Sequence, residues 1–213
     1  MSWTKLENVI YHIPKNFKYN SNIAIFNFVN TLVKIKDTNE SKFEFLFENV
    51  PEMLIQLHQK KASIIVYQSF SHNNIEFIEM LFFEFLNKLN SIYFNQNKIN
   101  NESNSNESNI NESNSNESNS NEYKIPVIAF FSIKNNNFSK PCTGIWKMIN
   151  LLYMKKNKEI DATKCISVGN LAGRIKSDNT KKDYNVSDRA FANNIQIKFT
   201  TPENFFSNKK KIH

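Results

Sequence analysis

Four short apolar runs, at residues 23–28, 63–67, 126–131 and 165–168, stand out from a chain otherwise rich in asparagine, lysine and serine. Each is bounded by polar turn residues and has the length and the Ile, Val and Phe content of a buried strand. Between them the apolar positions shift to a helical period. That spacing predicts helices over 51–60, 75–89 and 141–155, one near 185–194, and a short last one opening at Thr201-Pro202-Glu203. Pro51 and Pro141 suit first-turn positions, and Asn185 suits an N-cap with Asp188 three residues on. Strand–helix alternation of this kind implies an α/β doubly wound parallel sheet covered on both faces, in a single domain. In such sheets ligands gather at the carboxyl ends of the strands. The residues that follow Phe26, Tyr67, Phe131 and Val168 are therefore the ones to examine for chemistry.

The helix over 75–89 places Ile75, Ile78, Phe82, Phe85, Leu86 and Leu89 on one face, and Phe77, Leu81 and Phe83 widen the apolar arc. Two accounts fit: burial against the sheet, or a face offered to a protein partner. Glu76, Glu79, Glu84, Asn87 and Lys88 make the run too polar for a membrane span, which predicts a soluble protein. After this helix a pentapeptide repeat, NESNS NESNI NESNS NESNS NE, occupies 101–122. With almost nothing to bury, it cannot recover its ordering entropy, so 96–122 is expected to be a disordered insertion in a domain spanning 1–206. Residues 207–213 form a basic tail whose Lys209, Lys210 and Lys211 read most simply as solubilising, or else as a nuclear address or nucleic-acid contact.

Charge sharpens the picture. Of 213 residues, 1–122 carry 10 basic and 14 acidic side chains, net −4, whereas 123–213 carry 17 and 6, net +11. The overall +7 therefore hides a strongly positive C-terminal half, to which a phosphate-bearing partner would be drawn. Only three glycines are present, and no GxxxxGK[ST] string exists to cradle a nucleotide's phosphates. Cys142 and Cys165 are expected to be reduced thiols of an intracellular protein, nuclear or cytoplasmic, and neither has metal-ligand spacing.

The most specific strings are Ser167–Arg174, SVGNLAGR, followed by KKDYNVSDRAFANN at 181–194 and FTTPENFF at 199–206. SKPCTGIW at 139–146 is nearly as specific, whereas FNFVNTL at 26–32 and YQSF at 67–70 rest on order and spacing, as does the lead-in with Trp3 and Lys5-Leu6-Glu7. Together these resemble the phosphatase half of the polynucleotide kinase 3′-phosphatase family, within the haloacid dehalogenase superfamily. That resemblance implies a haloacid dehalogenase-like sheet and says what should stand at each strand end.

In the family the first strand ends in F-D-x-D-G-T-L, with a nucleophilic Asp and an acid/base Asp. Here the matching positions hold Asn27 and Val29, and Asn30 replaces the glycine. The only Asp before position 161 is Asp37, so no D-x-D pair exists in the N-terminal half. At the second strand end, where the family places a phosphoryl-binding Thr, Gln68 or Ser69 would have to donate. Lys140 matches the lysine that neutralises the phosphoryl group. Asn170 replaces the magnesium-binding Asp of V-G-D-x-A-G-R, while Asp183 and Asp188 match retained positions. Asp188 reads as a helix cap or a cation ligand.

The resemblance with its three losses implies a degenerate phosphatase-like module without turnover, binding nucleic acid or a protein complex. Arg174, Lys181, Lys182 and Arg189 are then the candidate phosphate contacts, with no catalytic residue, metal ligand or cofactor assigned. Two alternatives stay open. One is an active, divergent polynucleotide 3′-phosphatase of DNA repair, for which magnesium would be needed. The other is a structural subunit whose partner covers the 75–89 helix.

Overall fold

The computed structural model describes residues 1–37, 42–70, 75–104, 124–133, 135–175 and 182–207, with side chains placed outside 97–104. Strands β1 (Thr4–Lys5) and β2 (Val9–His12) form an N-terminal ribbon, and β3 (Ile23–Phe26) follows. Next come β4 (Val33–Asp37) and β5 (Lys42–Phe45), helix α1 (Val50–Gln59), β6 (Ser63–Ser69) and α2 (Ile75–Asn104). The C-terminal half runs β7 (Val127–Ser132), α3 (Gly144–Met154), β8 (Ile166–Val168), α4 (Ser187–Asn194), β9 (Lys198–Thr200) and α5 (Pro202–Phe206).

The main sheet has the order β1-β2-β7-β6-β3-β8-β9, and β4 with β5 makes a separate two-stranded sheet. The pairs from β7 through β9 are parallel, whereas β1 and β2 close one edge antiparallel. The chain winds outward from β3 to β6 and β7, then crosses back to β8 on the other side. Between β3 and β8 lies the crevice where a doubly wound sheet places its ligands.

Alternation along the strands builds two cores at once. Ala24, Phe26, Ile64, Val66, Val127, Ala129 and Phe131 face α1, α2 and α5, meeting Leu54, Phe82, Phe85 and Phe206. Ile23, Ile25, Ile65, Tyr67, Ile128 and Phe130 face α3 and α4, meeting Ile149, Tyr153, Phe191 and Ala192. The apolar face of α2 is thus core: Ile78, Leu81, Phe82, Phe85, Leu86 and Leu89 are buried, while Phe83 stays 41% exposed. Among the described residues no helix is long and apolar enough to cross a membrane.

Several boundaries move. The helix expected to stop at Leu89 continues to Asn104, taking in 96–104 from the expected loop; the repeat beyond it lies outside the described residues. Pro141 does not open α3: the helix begins three residues later, at Gly144. A Cβ on Gly144 would lie 2.3 Å from the Asn137 carbonyl oxygen, so the entry turn needs glycine there. Asn185 lies one residue before the N-cap position held by Val186, and its Oδ1 accepts from Ser187 N at 2.9 Å, satisfying the first free N–H of α4. The ribbon β1–β2, the β4–β5 pair and β9 are additions to the expected strands. Phe43 and Phe45 of β5 cover α2 through Phe85, at centroid distances of 6.4 and 6.1 Å.

Phe131 joins these parts, its ring 5.7 Å from Trp3, 5.9 Å from Phe28 and 5.7 Å from Phe82. Phe131→Ala is expected to cost about 3–5 kcal/mol in urea unfolding, whereas truncating the half-exposed Phe94 should cost under about 0.5 kcal/mol. His12 supplies a pH test: its Nδ1–H donates to Ser2 O at 2.8 Å, and its Nε2 is buried without a partner. Burial holds the imidazole below its ordinary value of 6.5. The unfolded chain therefore takes up a proton that the fold resists. Stability should fall as pH drops below 6.5, and His12→Gln should shrink that slope.

Candidate functional site

The carboxyl ends of β3, β6 and β8 converge with the 136–143 turn and the start of α4. Asn27 follows β3 directly, tied to its neighbour strand by Asn27 N donating to Val168 O at 2.9 Å. Parallel pairing of Phe26 with Val168 then brings Asn170 alongside. The two amides bond to each other, Asn27 Nδ2 donating to Asn170 Oδ1 at 2.8 Å. Asn27 is only 3% exposed.

Lys140 reaches this pair from the turn after β7. Its Nζ donates to Asn27 Oδ1 at 3.2 Å and to Asp188 Oδ1 at 2.7 Å. The ammonium also lies 4.6 Å from the Tyr67 ring centre and 5.9 Å from that of Phe191. Side-chain exposure is 3% for Lys140 and 1% for Asp188, so this is a buried ion pair. Burial pulls the ammonium below its ordinary value, and Asp188 opposes that pull. Asp188 is therefore not a helix cap: its second oxygen accepts from Leu171 N at 2.9 Å. It fits because Gly169 has no side chain; a Cβ there would meet the Asp188 carboxylate at 2.6 Å.

The turn after β3 survives without its glycine. Asn30 adopts φ 60°, a left-handed conformation that asparagine tolerates better than most residues. Gln68 holds this turn through its carbonyl oxygen, Oε1 taking the N–H of Phe28 at 3.1 Å and of Val29 at 2.9 Å, while its Nε2 donates to Ser69 O at 3.4 Å. The Val29 side chain packs against the core. Ser69 Oγ accepts from Lys140 N at 3.0 Å and so positions the lysine's backbone.

Of the four expected phosphate contacts, Arg174 is committed inward. Its guanidinium bonds both Asp183 oxygens at 3.0 and 2.9 Å, Glu203 at 2.8 Å and the Asn170 carbonyl at 2.7 Å. Burial raises the Asp183 carboxyl, but Arg174 and the N–H groups of Arg174 and Ala172 more than offset this and hold it below its ordinary range. Lys182 and Arg189 are exposed, Arg189 lying 5.8 Å over the Phe199 ring, and Lys181 lies outside the described residues.

The Lys140–Asp188 pair and the Gln68 acceptor went unread in the sequence. Asp188 lies 48 positions from Lys140, and its spacing from Asn185 and its match to a retained family position marked it without naming that partner. Removing one partner of a buried ion pair strands the other charge. Asp188→Asn should cost about 3–5 kcal/mol in denaturant unfolding, and adding Lys140→Met should recover most of the loss. Gly169→Ala, which crowds the same carboxylate, should destabilise as well.

Comparison with known proteins agrees with this architecture. The family described as polynucleotide kinase 3 phosphatase matches residues 70–206. The chain is 39% identical over 82 residues to the bifunctional polynucleotide phosphatase/kinase of Schizosaccharomyces pombe, covering 38% of this chain and 18% of that protein. It is 36% identical over 81 residues to an uncharacterized 20.8 kDa protein in the FGF-VUBI intergenic region of Autographa californica nuclear polyhedrosis virus, covering 38% and 42%. Both matches span less than half of the relative's length. A HAD-like phosphatase from Mesorhizobium loti shares the fold, with a TM-score of 0.52 at 8% identity over 78% of this chain and 72% of that one. With its sheet order, its retained C-terminal strings and a family match over most of its length, the chain belongs to the polynucleotide kinase 3 phosphatase family.

Proposed function

We propose that this member of the family has lost phosphoryl transfer and works as a polynucleotide-binding module. The observation that carries this reading is the amide–amide bond between Asn27 and Asn170 at the carboxyl ends of β3 and β8. An amide oxygen is a poor nucleophile, and where a nucleophile has been removed from other enzymes, turnover falls on the order of a million-fold.

The residues do not fit the magnesium ion that the family implies. A hard dication seeks anionic oxygens with free lone pairs. Asn27 Oδ1 accepts from Lys140, Asn170 Oδ1 accepts from Asn27, and the two Asp188 oxygens accept from Lys140 and Leu171 N. Among the described residues no group of three or more His, Cys, Asp or Glu side chains is placed to hold a metal. The successive N–H groups of Phe28 and Val29 form a pair suited to an anion, and Gln68 Oε1 takes both. The carboxylate within reach of Lys140, Asp188, is 1% exposed and fully engaged, which weighs against its use as a replacement nucleophile.

The polynucleotide part of the reading rests on family membership, on the positive C-terminal half, and on Lys182 and Arg189 facing solvent near the strand ends. A second reading, docking of a protein on α2, has in its favour Met80, Phe83 and Phe94, exposed at 55%, 41% and 54%.

The deciding experiment measures phosphate release from nicked DNA bearing a 3′-phosphate, with magnesium supplied. The expected result is a rate equal to that without protein. Turnover that disappears in Lys140→Ala would overturn the reading.

A further inference from the structure

The geometry points to Tyr184 as a stacking platform for an unpaired nucleobase, beside the closed cleft. This deepens the polynucleotide-binding reading and rests on it. Tyr184 is 83% exposed, with Ile175 at 84% and Val186 at 51%, so three large apolar side chains face water within one pair of segments. Tyrosine, apolar along its ring and polar at its tip, is enriched at binding interfaces.

The base under Tyr184 is rigid. Asp183 N donates to Arg174 O at 3.0 Å, and Gly173 N donates to Asn185 O at 3.2 Å, lacing 173–174 against 183–185. The Asp183 carboxylate accepts from the N–H groups of Ala172 and Arg174 at 3.0 and 2.9 Å, besides holding the guanidinium. A residue next to so many fixed bonds holds its backbone in place while its ring stays open to solvent. A ligand stacking there orders only two torsions, so little entropy opposes binding.

The surroundings favour a nucleic acid over a protein. Asp188 is paired with Lys140 and Asp183 with Arg174, both carboxylates buried, so neither adds to the exterior field, and Glu203, half exposed, is held by the same Arg174. Exposed Lys182 and Arg189 lie on either side of Tyr184 in sequence, and the two carboxylates between them, Asp183 and Asp188, are turned inward to Arg174 and Lys140. Aromatic side chains interleaved with cations bind single strands by stacking bases and holding phosphates, with little sequence preference. Arg174 also bonds the Asn170 carbonyl, which fixes the platform to the strand end that carries the amide pair.

The test uses the full chain and two single-stranded probes of equal length, oligo-dT and its abasic counterpart, titrated at low and high salt. Wild type should bind oligo-dT about tenfold more tightly than the abasic strand, with affinity for both falling as salt rises. Tyr184→Phe should keep that preference, and Tyr184→Ala should abolish it while leaving the salt-dependent binding of the abasic strand. Salt-dependent binding with equal affinity for both probes would overturn the platform and leave the polynucleotide reading standing. No binding at low salt would overturn both and assign the Tyr184 surface to a protein partner.

Discussion

A buried ammonium cannot stand without an anion, and that constraint organises the carboxyl edge of this sheet. Lys140 has 3% of its side chain exposed and meets a single carboxylate, that of Asp188 at 2.7 Å. In a low-dielectric interior the attraction offsets desolvation only where geometry and further hydrogen bonds are good. Here they are: Gly169 opens the space for the carboxylate, Leu171 N bonds its second oxygen, Asn27 Oδ1 takes another ammonium proton, and the Tyr67 and Phe191 rings flank the charge. One ion pair thus ties the turn after β7 to the loop after β8 and to α4.

The amide pair follows from the same electrostatics. Two carboxylates 2.8 Å apart would repel and need a cation between them, whereas an amide offers both a donor and an acceptor. Asn27 donates to Asn170 across the two strand ends, so these side chains meet without repulsion. Gln68 does likewise for the turn after β3, accepting from two N–H groups that would otherwise face an anion. These side chains form a hydrogen-bond network that, in the proposed reading, takes the place of the family's charged groups. Catalytic carboxylates and a structural network are alternative solutions for one set of strand ends, and the proposed function assigns this chain the second.

Much of the frame could be read from residue order. The runs at 23–28, 63–67, 126–131 and 165–168 are the four buried parallel strands β3, β6, β7 and β8, because short apolar runs between helical segments have few other uses. Retained strings such as Ser167–Arg174 carried the family, and they placed Asn27, Lys140 and Asn170 together before any distance was known. Shorter elements escaped. The alternation of Val33 and Ile35 with Lys34 and Lys36, and of Phe43 with Glu44 and Phe45, marks β4 and β5, but each pattern is only a few residues long. Pro141 misled because proline marks a boundary without saying on which side of a turn the helix lies. Arg174 looked like a surface cation, since nothing local shows that Asp183 and Glu203 converge on it. Long-range polar pairing has no period, and so leaves no local trace in a sequence.

Outward stand Lys182 and Tyr184, on a loop pair anchored by the Arg174–Asp183 bonds, and Arg189 on α4. Asp183 and Asp188 are held inside by Arg174 and Lys140, whereas Lys182 and Arg189 are left to solvent. The central claim is that the cleft is electrostatically complete by itself. Calorimetric titration of the folded protein with magnesium, alongside its unfolding midpoint, tests this most directly. The account predicts no saturable heat and an unchanged midpoint at millimolar magnesium. Saturable binding that raises the midpoint and vanishes in Asn170→Ala would contradict it.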